Sequence, residues 1–391
     1  MKKSVLTVAQ IGCGAFAAGQ DLPNFKKNPR TRVKWCCDVS LDNAKSLARK
    51  FGVKKTTSDF MEVVNDPEVD LIKISTSHEV HLPIITAAAA KGKHIFCEKP
   101  MAMEEKEALE IIRAVRRNKV KLCVDLNRRM SPAMQKLKNR WLEHCRNPKH
   151  QPWRYAEMER ELFPEEQQTQ FLIRIQDESY SYRLVHLDPL RGGGLIIGES
   201  VHWLDLACWF FAPAYPIEIQ AFGSRRFSHV INLRFSNGNT ATLIFSCGGT
   251  FDYPKELFEV TSNAALFRSL CFVENEYYGI PGLDRETFPL QNDSLPEIGK
   301  CGGFKGYAEK YLYRVKNLKN SKTGHAALSM DKGHQSMLDS FVSAILEDKP
   351  SPCNEMDGYI STLLAKLAIR SIELRQSLPV AADKIFPCIV I

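Results

Sequence analysis

The sequence predicts an α/β protein with an N-terminal Rossmann domain, a doubly wound parallel sheet, and a C-terminal α+β domain with an open, mainly antiparallel sheet. Three observations predict this class. Apolar runs alternate with helical patterns up to about residue 126, a glycine-rich turn follows the first run, and β-rich runs return after residue 216. We therefore expect a first domain over residues 1–126 and a second over 127–391, with C-terminal helices at about 333–377 near their junction.

The first glycine turn predicts a dinucleotide site. The apolar run SVLTVAQI, residues 4–11, ends at Gly12, and Gly14 and Ala17 complete a GxGxxA pattern before an Ala-rich helix. Gly12 permits the tight turn, Gly14 lets a pyrophosphate approach the backbone, and Ala17 lets the helix pack close to the strand. The same pattern occurs in turns that bind nothing, but here the next strand ends in Asp38, at the spacing of a ribose-binding carboxylate.

Asp38 also indicates which dinucleotide is bound. Val39 and Ser40 follow it, so no arginine stands there to receive a 2′-phosphate, and NAD is favoured over NADP. Ligands of a doubly wound sheet lie at the carboxyl ends of its strands, and the residues near those ends are the predicted cofactor contacts. They are Gly12, Gly14, Ala15, Phe16, Asp38, Ser75, Thr76, His81, Glu98, Lys99 and Asn127.

Lys99 and His202 predict the chemistry. Lys99 lies between an apolar strand and a proline, where it is either a surface lysine near a turn or a group that stabilises charge on a reacting oxygen. His202 lies on an apolar helical segment after three glycines, with Glu199 and Asp205 each three residues away. A histidine in such a segment is usually a core residue, but both acids can face its cavity and orient it. We expect His202 to be a general base for a secondary alcohol.

The pattern resembles the Gfo/Idh/MocA family, the relatives of glucose–fructose oxidoreductase and inositol dehydrogenase. The resemblance rests on the GxGxxA turn, the acid closing strand two, the segments TSHEVHLP and NRRMSP, and above all EKP, residues 98–100. It implies NAD-dependent oxidation of a sugar, polyol, sugar nucleotide or glycoside, with Lys99, His202 and Glu199 as catalytic residues. Relatives commonly carry an aspartate four residues before this histidine; here that position is Gly198, and Glu199 is the expected substitute.

The substrate contacts are predicted less sharply than the cofactor contacts. The candidates are Arg128, Arg183, His186, Asp188 and Asp205. Three of them lie in the stretch YSYRLVHLDP just before the glycines, and a plain surface loop explains Arg183, His186 and Asp188 equally well.

Two other functions fit the same residues. Some members of the resembled family oxidise a sugar hydroxyl, eliminate a glycosidic substituent and return the hydride, and Glu199 could serve such a redox-neutral glycosidase. A catalytically silent regulator that senses sugar or NAD is the second alternative, and the presence of Lys99 and His202 argues against it.

Composition bounds the partners. The net charge of +8 is spread along 391 residues with no nucleic-acid-binding motif, so a nucleic-acid partner is not expected. No apolar segment reaches membrane-spanning length, and no signal peptide is recognised. Twelve cysteines form no CxxC pair, which predicts free thiols, no metal site and a cytoplasmic location. By analogy with relatives we expect a homo-oligomer, a dimer or a tetramer.

Overall fold

The computed structural model of the protein describes residues 3–146, 168–177, 187–188, 190–250, 253–317 and 328–387. Six strands form the N-terminal sheet: β1 (Leu6–Ile11), β2 (Thr31–Cys37), β3 (Lys55–Thr57), β4 (Leu71–Ile74), β5 (His94–Cys97) and β6 (Leu122–Val124). They run parallel in the order β3-β2-β1-β4-β5-β6. This is the doubly wound order, and the predicted Rossmann fold is confirmed.

Helices connect these strands. They are α1 (Leu22–Lys27), α2 (Leu41–Phe51), α3 (Phe60–Asn65), α4 (His81–Ala90) and α5 (Glu105–Arg117), with a π-helical turn at Ala17–Asp21 and 3₁₀ turns at His78–Val80 and Asn127–Met130. Every residue of β1 and β4 is buried, as expected for central strands that helices cover on both faces. The strand order reverses between β1 and β4, and this point is where a doubly wound sheet binds its ligand.

A second sheet dominates the rest of the chain. Its nine strands are β7 (Gln170–Asp177), β8 (Pro216–Gly223), β9 (His229–Phe235), β10 (Thr240–Cys247), β11 (Glu256–Ser262), β12 (Ala265–Leu270), β13 (Glu274–Tyr278), β14 (Arg285–Thr287) and β17 (Leu378–Pro379). The strands β15 (Asn292–Asp293) and β16 (Leu328–Ser329) form a separate two-stranded sheet. The order of the nine strands is β14-β13-β12-β11-β7-β10-β9-β8-β17, and every pairing is antiparallel except that of β7 with β10. The predicted open, mainly antiparallel sheet is confirmed.

Six further helices follow the first sheet along the described part of the chain. They are α6 (Pro132–Arg146), α7 (Val201–Phe211), α8 (Gly303–Asn317), α9 (His334–Leu346), α10 (Glu355–Leu374) and α11 (Ala382–Ile385), and a π-helical turn at Ile196–Ser200 leads into α7. The α10 helix contacts α5 beside the first sheet as well as α7 and β8 of the second. The α9 helix contacts α1 and the 3₁₀ turn at Asn127–Met130. Among the helices of the described residues, none has the length and apolar character needed to cross a bilayer.

Candidate active site

The glycine turn after β1 has a backbone that only glycine suits at residue 12. Gly12 has a φ of +89°. A Cβ at this position would lie 2.2 Å from the carbonyl oxygen of Ser75, just after β4. At Gly14, by contrast, nothing lies within 4 Å of where a Cβ would stand. A helix starts at once, so the amides of its first turn have no acceptor within that helix. The turn thus offers an open backbone surface with N–H donors, which suits a pyrophosphate.

Asp38 lies beside this turn. Its Oδ2 accepts a hydrogen bond from the backbone N–H of Cys13 at 2.8 Å, and its Oδ1 accepts one from Ser40 at 2.9 Å. These bonds hold a partly exposed carboxylate at the end of β2, where ribose hydroxyls would meet it. On the other side of the turn, the buried Oγ1 of Thr76 has no hydrogen-bond partner within the chain. A buried hydroxyl without a partner favours a ligand that satisfies it, so the residues present fit NAD.

Other predicted cofactor residues are engaged by the protein itself. The Ser75 hydroxyl donates to Asp21 at 2.5 Å, and Glu98 accepts from Lys73 at 2.6 Å. The Asn127 side chain donates to the carbonyl of Lys332 at 2.7 Å and is fully buried. These contacts support the walls of the crevice, and a direct contact of these side chains with NAD stays a prediction.

His81 is fully buried, whereas Phe16 is exposed. Burial lowers the pKa of His81 to about 4, and its Nδ1 lies 2.9 Å from the carbonyl oxygen of Pro100. His81 therefore supports the turn that carries Lys99. Phe16, at the start of the helix, leaves 41% of its surface exposed, and Ala15 beside it is also exposed. These two residues are open to a ligand, and a direct contact of the buried His81 with NAD stays a prediction.

Lys99 reaches across to the π-helical turn before α7. Its Nζ donates to the carbonyl oxygen of Gly198 at 2.5 Å and to Oε1 of Glu199 at 2.8 Å. Both side chains keep some exposure, 13% for Lys99 and 17% for Glu199. Glu199 thus supplies a carboxylate to the lysine even though residue 198 is glycine. π-Helical turns are rare and often mark functional sites.

His202 lies one turn further along, at the start of α7, and contacts a cation. Its Nε2 lies 2.9 Å from Nη1 of Arg128, so Nε2 accepts this bond and the imidazole is neutral. Burial, together with the charges of Arg128 and Lys99, lowers the pKa of His202 well below its ordinary value. The buried Nδ1 has no partner within the chain. The histidine is therefore a neutral base next to Lys99, with only 3% of its surface exposed.

Asp205 does not orient His202, and that prediction is wrong. Both of its carboxylate oxygens accept hydrogen bonds from the Arg129 guanidinium, and Asp357 contacts the same guanidinium at 3.1 Å. A bidentate partner of this kind satisfies the carboxylate fully. Asp205 is also only 2% exposed, and its predicted contact with a substrate stays a prediction.

The predicted substrate loop is described only in part. Arg183 and His186 lie outside the described residues. Asp188 shapes the turn before the glycines: its carbonyl oxygen accepts from the N–H groups of Gly192 and Gly193 at 2.8 and 2.9 Å, and its carboxylate accepts from Leu190 at 2.9 Å. A substrate contact of these three residues stays a prediction.

Sequence reasoning missed a group of charged residues beside His202. Glu256, at the start of β11, accepts hydrogen bonds from Lys332 and from Nε of Arg128, the latter at 3.4 Å. Although burial opposes it, the charges of Lys332 and Arg128 lower the pKa of Glu256 to about 2. Lys255, the residue before, pairs with Asp177 at the end of β7. Apart from Arg128, none of these residues stands in a local sequence pattern that predicts a site.

Known proteins match both the sequence and this architecture. Residues 6–126 match the family described as "Oxidoreductase family, NAD-binding Rossmann fold", Gfo/Idh/MocA. The chain is 33% identical over 332 residues to the myo-inositol 2-dehydrogenase of Thermotoga maritima, covering 80% of this chain and 88% of that protein. It superposes on levoglucosan dehydrogenase in complex with NADH and levoglucosan with a TM-score of 0.72 at 18% identity, covering 96% of this chain and 99% of that one.

A myo-inositol dehydrogenase from Corynebacterium glutamicum superposes with a TM-score of 0.70 at 18% identity, over 96% of this chain and 99% of that one. The structural matches establish the fold, and the sequence match extends through the segments that carry both Lys99 and His202. The chain therefore belongs to the Gfo/Idh/MocA family of NAD-binding oxidoreductases.

Proposed function

We propose that the protein is an NAD-dependent dehydrogenase that oxidises a secondary hydroxyl of a sugar, polyol or glycoside. The observation that carries this proposal is the meeting of Lys99, Glu199 and His202 beside the glycine turn and Asp38. Relatives named as inositol and levoglucosan dehydrogenases support a polyhydroxylated substrate. The site forms between residues of the predicted domains 1–126 and 127–391, which supports that division.

Lys99 holds the reacting oxygen. NAD, when bound, supplies the acceptor for the hydride that leaves carbon. The protein then has to stabilise the negative charge that develops on the substrate oxygen, and an ammonium in a partly enclosed site does so strongly. Glu199, at 2.8 Å from Nζ, fixes the position of this ammonium.

His202 accepts the hydroxyl proton at Nε2. Its low pKa keeps the imidazole neutral near neutral pH, so the ring can take up a proton. Arg128 donates to Nε2 in the structure, and the substrate hydroxyl takes that place when the proton moves. The same guanidinium makes the protonated imidazole less stable, which favours rapid release of the proton afterwards.

The experiment compares Lys99→Met and His202→Gln with Lys106→Met, an exposed lysine of α5. We expect kcat/KM for NADH formation to fall by about 100-fold or more in the first two variants. NAD affinity, measured by calorimetry, should stay within about threefold of the parent in His202→Gln, because His202 is not one of the predicted cofactor contacts. Lys106→Met should match the parent. Full activity of Lys99→Met and His202→Gln would refute the proposed roles.

The product assay also separates the other functions. Release of a sugar that requires NAD but leaves no net NADH would assign a redox-neutral glycosidase instead. Binding of NAD and sugar without any product would favour a sensing protein. An assembly of two or four chains, which we propose for the open face of the second sheet, is tested by light scattering of the intact protein.

A further inference from the structure

Near His202, two lysines each pair with a carboxylate that is more buried than the lysine. Lys332 pairs with Glu256, and the lysine side chain is 20% exposed whereas the glutamate is 2% exposed. Lys255 pairs with Asp177, and the corresponding values are 25% and 4%. In both pairs the lysine is the more exposed member, and the carboxylate is almost fully buried.

These two pairs lie close to the reacting groups. Glu256 also accepts a hydrogen bond from Arg128, whose Nη1 lies 2.9 Å from Nε2 of His202. Lys332 is therefore linked to the proposed base by three contacts, through Glu256 and Arg128. The charge of Lys255 acts on Lys332, and the charge of Glu199 acts on Lys255, so both lysines share one electrostatic environment with the Lys99–Glu199 pair.

The two lysines expose hydrogen-bond donors, and the partly exposed carboxylate of the site, Glu199, already accepts a hydrogen bond from Lys99. An ammonium has three N–H donors and no acceptor, and Lys332 gives one of its donors to Glu256. A neutral polyol presents hydroxyls that both donate and accept, and the carboxylates of the two pairs are almost fully buried, where such hydroxyls reach them poorly. A carboxylate or a phosphate only accepts at neutral pH, and its hydrogen bonds to ammonium groups are the stronger, charge-assisted kind.

We propose that the substrate carries an anionic group, a carboxylate or a phosphate, and that Lys332 and Lys255 bind it while Lys99 and His202 act on a hydroxyl of the same molecule. The inference rests on the proposed function, and it narrows the substrate class to acidic sugars and phosphorylated sugars or polyols. Lys332 and Lys255 determine specificity and take no part in the proton transfer.

The experiment uses matched sets of substrates: a hexose, its hexuronate and its phosphate, together with inositol and inositol phosphate. Binding to the NADH-loaded protein is measured by calorimetry, and turnover with NAD is measured separately. We expect an anionic member of a set to bind about 10- to 100-fold more tightly than its neutral partner, as a charge-assisted contact gives. Added salt should weaken only the anionic ligands. The anionic ligand with the larger gain in affinity over its neutral partner, the hexuronate or the phosphate, identifies the group that is bound.

Variants show whether the lysines are responsible. Lys332→Met and Lys255→Met should each remove most of the preference, chiefly through KM, and Lys332→Arg should keep it because the charge remains. Lys106→Met is the control. The inference would be overturned if neutral and anionic members bound equally well, or if no anionic member bound. It would also be overturned if Lys332→Met lost the same factor in affinity for neutral and for anionic ligands. An anion preference without any NADH formation would instead contradict the proposed function and leave the anion site standing.

Discussion

Lys73 gives a sharp test of how the floor of the crevice is stabilised. Its side chain lies on β4 and is fully buried. Nζ lies 2.6 Å from Glu98, 3.4 Å from Asp21 and 3.6 Å from Asp125. Burial opposes the charged lysine, but the three carboxylates outweigh burial and raise its pKa above the ordinary value. One cation therefore holds together acids from the π-helical turn before α1 and from the residues that follow β5 and β6.

Lys73→Met keeps the apolar stem and removes the charge. Removal of one partner from a buried ionic group typically lowers the free energy of unfolding by about 3–5 kcal/mol, because the remaining charges are left uncompensated. We expect a loss in this range at neutral pH. Without the cation the carboxylates have raised pKa values in the folded state, so the folded variant binds more protons than the unfolded one. Its stability should therefore rise relative to the parent as the pH falls toward about 5.

The measurement is urea unfolding followed by circular dichroism at neutral pH and at about pH 5. Lys106→Met, on the exposed face of α5, should change the free energy of unfolding by less than about 0.5 kcal/mol. Lys73→Arg keeps a cation but changes the shape of the side chain, so it distinguishes the effect of the lost charge on stability from the effect of altered packing. A loss below about 1 kcal/mol for Lys73→Met, or a loss that does not depend on pH, would refute the reasoning.

Three other substitutions test the cofactor and proton sites. Gly12→Ala should weaken NAD binding more than about tenfold and destabilise the fold by about 1–3 kcal/mol or more, because its Cβ would stand 2.2 Å from the carbonyl oxygen of Ser75. Gly52→Ala is the control for the cost of a positive φ without a clash, because Gly52 has a φ of +73° and no atom within 4 Å of its Cβ position. Calorimetry and thermal melts decide, and equal effects would contradict the clash. Asp38→Ala should weaken NAD binding about tenfold and reduce the ratio of NAD affinity to NADP affinity. An unchanged ratio of the two affinities would argue against recognition of the ribose by Asp38. Arg128→Met removes a cation beside His202, so the acid limb of the kcat/KM profile should move to higher pH; an unmoved limb would exclude His202 as the base.

The first sheet could be predicted because its signals are local. The run that becomes β1, the GxGxxA turn and the helix after it are continuous in sequence, and their order fixes a parallel topology. The short strand β3 (Lys55–Thr57) carries too few residues for a periodic pattern and was not predicted. The central place of β7 in the second sheet, parallel to β10, was not predicted either, because strand partners depend on tertiary packing.

The site was predicted where a residue follows a recognisable local pattern. Lys99 and His202 stand in such patterns, and the structure brings both to one crevice. The partner of His202 could not be predicted, because Arg128 lies 74 residues away along the chain. The assignment of Asp205 to His202 failed for the same reason: helical spacing gives the face a residue occupies, but Arg129, from a separate turn, competes for that acid.

We propose that this chain transfers a hydride from a secondary hydroxyl to NAD. The most direct measurement incubates the protein with NAD and a panel of neutral and anionic sugars, polyols and glycosides, and records nicotinamide absorbance and oxidised product together. We expect NADH to accumulate in a one-to-one ratio with a keto product. Sugar release that requires NAD yet leaves NADH unchanged would contradict the proposal.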